Sequence, residues 1–183
     1  MRHFALAIAL TLAAQVAAQK PTNKQKASAI QIPSRAIMLE DVERSRQNVL
    51  KYVDVAPDSM LGYRPSPGVR TFAEQIEHAA GGNIFILSAA WKQKPPATDA
   101  DTAKYLHDKA ALKTFVNQSY DHFAKAVRDA TQAQLVAQAE FAGNKKIGWR
   151  WISTGLEHAT WTLGQTVPYL RANKVTPPQY LPF

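Results

Sequence analysis

Apolar residues return at intervals of three and four in four separate stretches of the chain, and each stretch predicts a helix. In the first, Ser34 to Val55, the apolar positions Ile37, Val42, Val49, Leu50 and Val53 mix with the charges of Glu40, Asp41, Glu43, Arg44 and Arg46. Ala56-Pro57-Asp58 ends it, and Leu61 to Arg70, with Pro65, Pro67 and Gly68, predicts a compact loop. Thr71-Phe72-Ala73-Glu74 has the form of a capping box, in which threonine and glutamate satisfy each other's free backbone amides. Behind it Phe72, Ile76, Ala79, Ala80, Leu87 and Trp91 carry a second helix toward Pro95-Pro96. A third runs from about Asp108 to Ala130 on Leu112, Phe115, Val116, Tyr120, Phe123 and Val127. The last runs from about Lys145 to Asn173 on Ile152, Leu156, Ala159, Leu163, Val167 and Leu170, and Pro177-Pro178 closes it. Pro168 falls inside that stripe; it has no amide to give the Gly164 carbonyl and crowds it, which predicts a kink near Gly164. Leu135 to Gly143 holds Val136 and Phe141 without a sustained period and is expected to be loop. No segment alternates as a strand would, so the fold class is all-α. Four amphipathic helices over residues 34–183 satisfy one another most simply as a four-helix bundle.

The first twenty residues differ from the rest. Met1-Arg2-His3 is a short basic start, Phe4 to Val16 is mainly Ala, Leu and Ile, and Val16-Ala17-Ala18 places small residues before a cut at Gln19. The pattern is that of a secretory signal peptide over residues 1–18, and its apolar run is shorter than the ~20 residues a membrane-spanning helix needs. The expected destination is the periplasm or the medium, with no stable membrane span once the signal is removed. Residues 19–33 then form a flexible basic tether.

Charge follows the same division. The 183 residues carry 22 Lys and Arg against 14 Asp and Glu, a net charge of +8, but five of the cations lie before residue 36, where there is no acid. The remainder is close to neutral and lacks a basic stripe interleaved with aromatics, so nucleic acid is not an expected partner. The absence of cysteine removes disulfides, thiolate metal sites and cysteine nucleophiles, leaving His, Asp and Glu as the donors for any metal.

Of the five histidines, His3, His78, His107, His122 and His158, only His78 and His158 sit well inside predicted helices and clear of charged neighbours. His158 shares a stripe with Trp151, Gly155, Thr162 and Tyr169; His78 lines up near Glu74, Gly82 and Phe85. Gly81, Gly82 and Gly155 each weaken a helix by roughly 1 kcal/mol relative to alanine, which suggests room kept for a group or a close helix approach. Two histidines alone fall short of the three protein ligands that zinc ordinarily takes, and hydrogen-bonded core histidines explain them as well.

The run Tyr63-Arg64-Pro65-Ser66-Pro67-Gly68-Val69-Arg70-Thr71-Phe72-Ala73-Glu74-Gln75-Ile76-Glu77-His78, followed by Glu157-His158, Gly164-Gln165, Tyr169-Leu170-Arg171 and Pro177-Pro178, resembles the DinB superfamily, also called DinB/YfiT-like. The resemblance spans about residues 35 to 180. It implies a four-helix bundle with a divalent metal, zinc or nickel, held by one histidine of the second helix and a His-x-x-x-His pair of the last. It further implies a small-molecule ligand, a frequent homodimer, and activities that include thiol transfer, hydrolysis and isomerisation. His78 and His158 match two of the three ligand positions. Thr162 stands where the third histidine is expected, and a hydroxyl is a poor transition-metal ligand beside imidazole.

Three arrangements follow from that substitution. Glu74, one turn before His78, completes the set with a carboxylate, unless its capping-box role holds it. Alternatively the two histidines bind metal with water, and Thr162 orients the bound nucleophile of a hydrolase or thiol transferase. In the third, the site is degenerate and the bundle is a metal-free binding or structural module. Tyr63, Arg64 and Trp161 are candidates to shape the mouth.

Overall fold

Ser34 Oγ accepts a hydrogen bond from the Ile37 amide at 3.2 Å and so starts α1, Arg35–Val55. The computed structural model describes residues 31–96 and 101–182, and the predicted signal peptide and most of the tether lie outside that range. The compact loop after α1 contains one 3-10 turn, Asp58–Met60. The second helix, α2, covers Phe72–Ala90 and opens on the expected capping box, with both reciprocal bonds of Thr71 and Glu74 formed. It stops at Ala90 rather than Pro95, because Lys92 takes a positive φ of 55° and turns the chain off the helix axis. A single turn, α3 (Thr102–Tyr105), precedes α4 (Lys109–Asp129), which Asp108 caps through the Ala111 amide at 2.8 Å.

The region expected to be loop is ordered differently. Thr131 and Gln134 form a second capping box and open a short helix, α5, Gln132–Val136. An antiparallel hairpin follows, β1 (Gln138–Phe141) paired with β2 (Asn144–Ile147), with Phe141 opposite Asn144. Its two-residue turn is Ala142-Gly143, with φ of 51° and 75°, the sign that a tight hairpin turn requires. The loop expectation for Leu135 to Gly143 is thus corrected, and the all-α bundle carries one small two-stranded sheet as an addition. The fold is otherwise the helical bundle that the periodicity predicts.

The last predicted helix is two. α6 runs Gly148–Gly164 and α7 runs Val167–Ala172. Between them Gln165 and Thr166 donate their amides to the carbonyls of Thr162 and Leu163, the tight i+3 pattern that ends a helix. Pro168 therefore sits in the first turn of α7, where no amide is needed, and the expected kink is a complete break. At the other end of α6, a side chain on Gly148 would collide with the Gln134 carbonyl, and the Gly148 amide donates to Ala137 O at 2.8 Å. Glycine there lets α5, the hairpin and α6 meet at one corner.

The four long helices close on each other in a ring. α2 packs most extensively on α6 and also on α4, while α1 packs on α4 and α6. Their inward faces bury Val42, Val53, Phe72, Ile76, Leu87, Leu112, Val116, Tyr120, Phe123 and Ile152, and Leu170 of α7 joins them. No helix of the described residues is long and apolar enough to cross a membrane.

Candidate functional site

The α2–α6 seam brings His78 and His158 together. Their Nε2 atoms lie 3.2 Å apart, the ring centroids are 4.7 Å apart, and the rings meet edge to face at 81°. This contact exists because Gly82 has no side chain: a Cβ there would come within 2.7 Å of His158 Nδ1 and closer still to Cε1. Gly155 serves the helices themselves, since a Cβ on it would press on the Asn83 carbonyl at 3.0 Å and on Phe123. Gly82 is thus the seat of the ring, and Gly155 sets the closeness of the seam.

Both imidazoles are held below their ordinary pKa. Burial is the main cause for each; Arg70 adds to it at both rings, and His78 adds to it at His158. Neutral rings leave lone pairs available, and one Nε2–H can donate to the other Nε2. His158 Nδ1 is buried and has no partner in either tautomer.

Gln75 fixes the register of the seam. It is buried, and its Nε2 donates to the Thr162 carbonyl at 3.2 Å and to Gln165 Oε1 at 2.9 Å. Sequence reasoning missed this residue; a polar side chain on the apolar face, one turn before His78, was the available signal. Thr162 is buried one turn after His158. Trp161 beside it is 75% exposed, and Phe85 on α2 is 51% exposed and packs edge-on against Phe141 of the hairpin.

The loop before α2 forms one wall. Tyr63 O and Leu61 O accept the first free amides of α2, from Phe72 and Ala73, at 2.9 and 3.0 Å. Tyr169 of α7 reaches back to donate to the Arg70 carbonyl at 3.0 Å and meets Tyr63 edge to face. Glu74 belongs to this wall and to the cap: its carboxylate accepts the Thr71 amide at 2.6 Å and lies 3.6 Å from the Arg64 guanidinium. The backbone bond from Thr71 is the chief reason its pKa is lowered. Among the described residues no three His, Cys, Asp or Glu side chains are grouped as metal ligands would be. His107 follows α3, and His122 on α4 lines a separate cavity of about 460 Å³ with Ser88 and Trp91. Neither is among the groups around the pair.

Two nitrogens bound about 2.05 Å from a tetrahedral centre lie about 3.3 Å apart. The observed 3.2 Å therefore suits two corners of a coordination sphere. The rest of the donor set is thinner. Coordination through both Nε2 atoms puts a proton on His158 Nδ1, where no acceptor waits, although metal-bound histidines usually have one. The residues present fit half of a site.

The DinB superfamily sequence profile matches residues 41–167, from within α1 to the start of α7. The chain belongs to the DinB superfamily. The DinB fold is also that of a DinB-like protein from Bacillus cereus ATCC 10987, with a TM-score of 0.66 and 18% identity over 79% of this chain and 95% of that one. A DinB-like protein from Bacillus subtilis aligns with a TM-score of 0.60 and 14% identity, covering 79% of this chain and 97% of that one. No curated protein matches the chain. DinB superfamily proteins are often metal-associated.

Proposed function

We propose that this DinB protein acts on a small molecule at the His78–His158 seam, as a hydrolase or thiol transferase with an open and weakly held divalent ion. The observation that carries the reading is the 3.2 Å separation of the two Nε2 atoms across two helices. His78 and His158 would hold the ion, which supplies Lewis-acid activation of a water or a thiol when bound. The chain's own contributions are positional. Gly82 seats the His158 ring, Gln75 locks α2 to α6, and burial keeps both rings unprotonated near neutral pH. Thr162, one turn beyond His158, replaces an imidazole with a hydroxyl and leaves the third position to solvent or substrate. Export of the chain and its pairing as a homodimer belong to the same proposal, and export keeps it from chromosomal DNA.

A second reading has its own support. One Nε2–H bonded to the other Nε2 satisfies the pair without any ion, and the missing third ligand favours a metal-free binding module.

Calorimetric titration of the dialysed protein with zinc and with nickel separates the two. The first reading expects one ion per chain, lost in both His78→Ala and His158→Ala, and bound at least about tenfold more tightly by Thr162→His. No binding in the natural chain, and none gained by Thr162→His, overturns it in favour of the second.

A further inference from the structure

The cavity that His122 lines lies between the later turns of α2 and α4, away from the seam. Its volume of about 460 Å³ falls within the roughly 300–1,000 Å³ that small-molecule sites occupy. No residue of α6 or α7 lines it, so it shares no wall with the paired imidazoles. Ile84 and Ser88 of α2 and Ala130 at the end of α4 line it and are buried, and Trp91 and Pro96 add flat apolar surface. The polar groups of the lining are out of balance. Lys94 and Lys125 border the cavity with one acid, Asp129, and Asp129 is already paired with Lys125 one turn before it. Lys94 makes no ion pair among the described residues. The indole N–H of Trp91 is buried and finds no acceptor there either. A cation without an acid and a donor without an acceptor are the same deficit, a missing anionic oxygen.

We propose that this cavity is a binding site separate from the histidine seam, and that it takes a small aromatic monocarboxylate whose ring lies against Ile84 and Trp91 while its carboxylate pairs with the Lys94 ammonium. An aromatic ring suits a wall that includes an indole, since ring pairs gain beyond the area they bury. Lys94 is exposed, and its long flexible stem lets the charge follow the anion at the rim. One lysine left over after the Lys125–Asp129 pair matches one negative charge, which favours a carboxylate over a doubly charged phosphate. The site owes nothing to a metal, so it stands or falls apart from the reading of the seam.

2-Naphthoate is the probe, with 2-naphthamide as its uncharged match and 2-naphthyl phosphate as the alternative anion. Calorimetry on the full chain measures binding, and the imidazole NMR signals locate it. Naphthoate is expected to bind at least about tenfold more tightly than naphthamide. It should shift the His122 ring, which lines the cavity, and leave His78 and His158 unmoved. Lys94→Gln, at an exposed position, should remove the preference for the acid, and Lys94→Arg should keep it. Ala126→Leu adds bulk from the α4 wall and should weaken naphthoate and naphthamide alike by at least about tenfold. No binding of naphthoate, equal binding of acid and amide, a preference that persists in Lys94→Gln, affinity unchanged in Ala126→Leu, tighter binding of the phosphate, or shifts at His78 and His158 in place of His122 would each overturn the proposal.

Discussion

Gly82 is the residue on which the histidine pair depends most directly. Replacing a helical glycine with alanine ordinarily stabilises by roughly 0.5–1 kcal/mol. At Gly82 the new methyl would overlap the His158 ring, so Gly82→Ala is expected to destabilise instead, by about 1–3 kcal/mol, and to abolish ligand effects on both imidazoles. Gly164, at the end of α6, has nothing within 4 Å of a built Cβ and serves as the control: Gly164→Ala should be neutral or stabilising in urea unfolding. Titration gives a second expectation. Both histidines have lowered folded pKa values, so below their ordinary value of 6.5 the unfolded chain binds protons that the folded chain refuses. Stability should fall as the pH drops from 6.5 through the folded values. The double variant His78→Ala/His158→Ala should flatten that part of the profile. Glu74 acts in a separate window, its capping contribution being present above its ordinary 4.5 and lost as the pH falls through its lowered folded value.

At the scale of elements, Arg35 shows how α1 completes α4. Its guanidinium donates to the carbonyls of Arg128 and Ala130 at 2.7 Å each, and also to that of Val127, so a side chain from the first turn of one helix caps the end of another. Arg35→Ala is expected to lower stability by about 1–2 kcal/mol, with faster amide exchange confined to the last turn of α4. The long helices were legible from their period, and α2 also from its capping box, in which Thr71 makes the bond that its position suggests; Ser34 and Asp108 prove to cap α1 and α4. The hairpin was not, since strands of four residues hold too few positions to establish an alternation, and Ala142-Gly143 is a weaker turn signal than Asn-Gly. The break after Gly164 was legible as a disturbance only; which side of Pro168 the chain would leave the helix on depended on Thr166, whose hydroxyl donates to Leu163 O at 2.7 Å. In the site, His78 and His158 could be named from their helical positions. Gln75 and the wall at Arg70 could not, because their roles arise only when α2, α6 and α7 meet.

Over the whole molecule the two ends of the described chain are joined through α1. Asn48 is buried on that helix and grips the backbone of Leu181 from both sides, donating to its carbonyl at 3.0 Å and accepting its amide at 2.9 Å. Ending the chain after Pro178 would leave Asn48 buried and unpaired, and should lower stability by about 1–3 kcal/mol in urea denaturation. Asn48→Ala should cause a similar loss and make the truncation nearly neutral when the two are combined. The paired imidazoles have a different reach. They project from the two helices that share the broadest packing, so whatever bridges them rivets one half of the molecule to the other. Occupancy and heat tolerance are then a single coupled quantity, and a bridging compound at a hundred times its dissociation constant should add about 2.7 kcal/mol to unfolding. A melting-temperature screen of small compounds would therefore rank candidate occupants of the seam before any reaction is known.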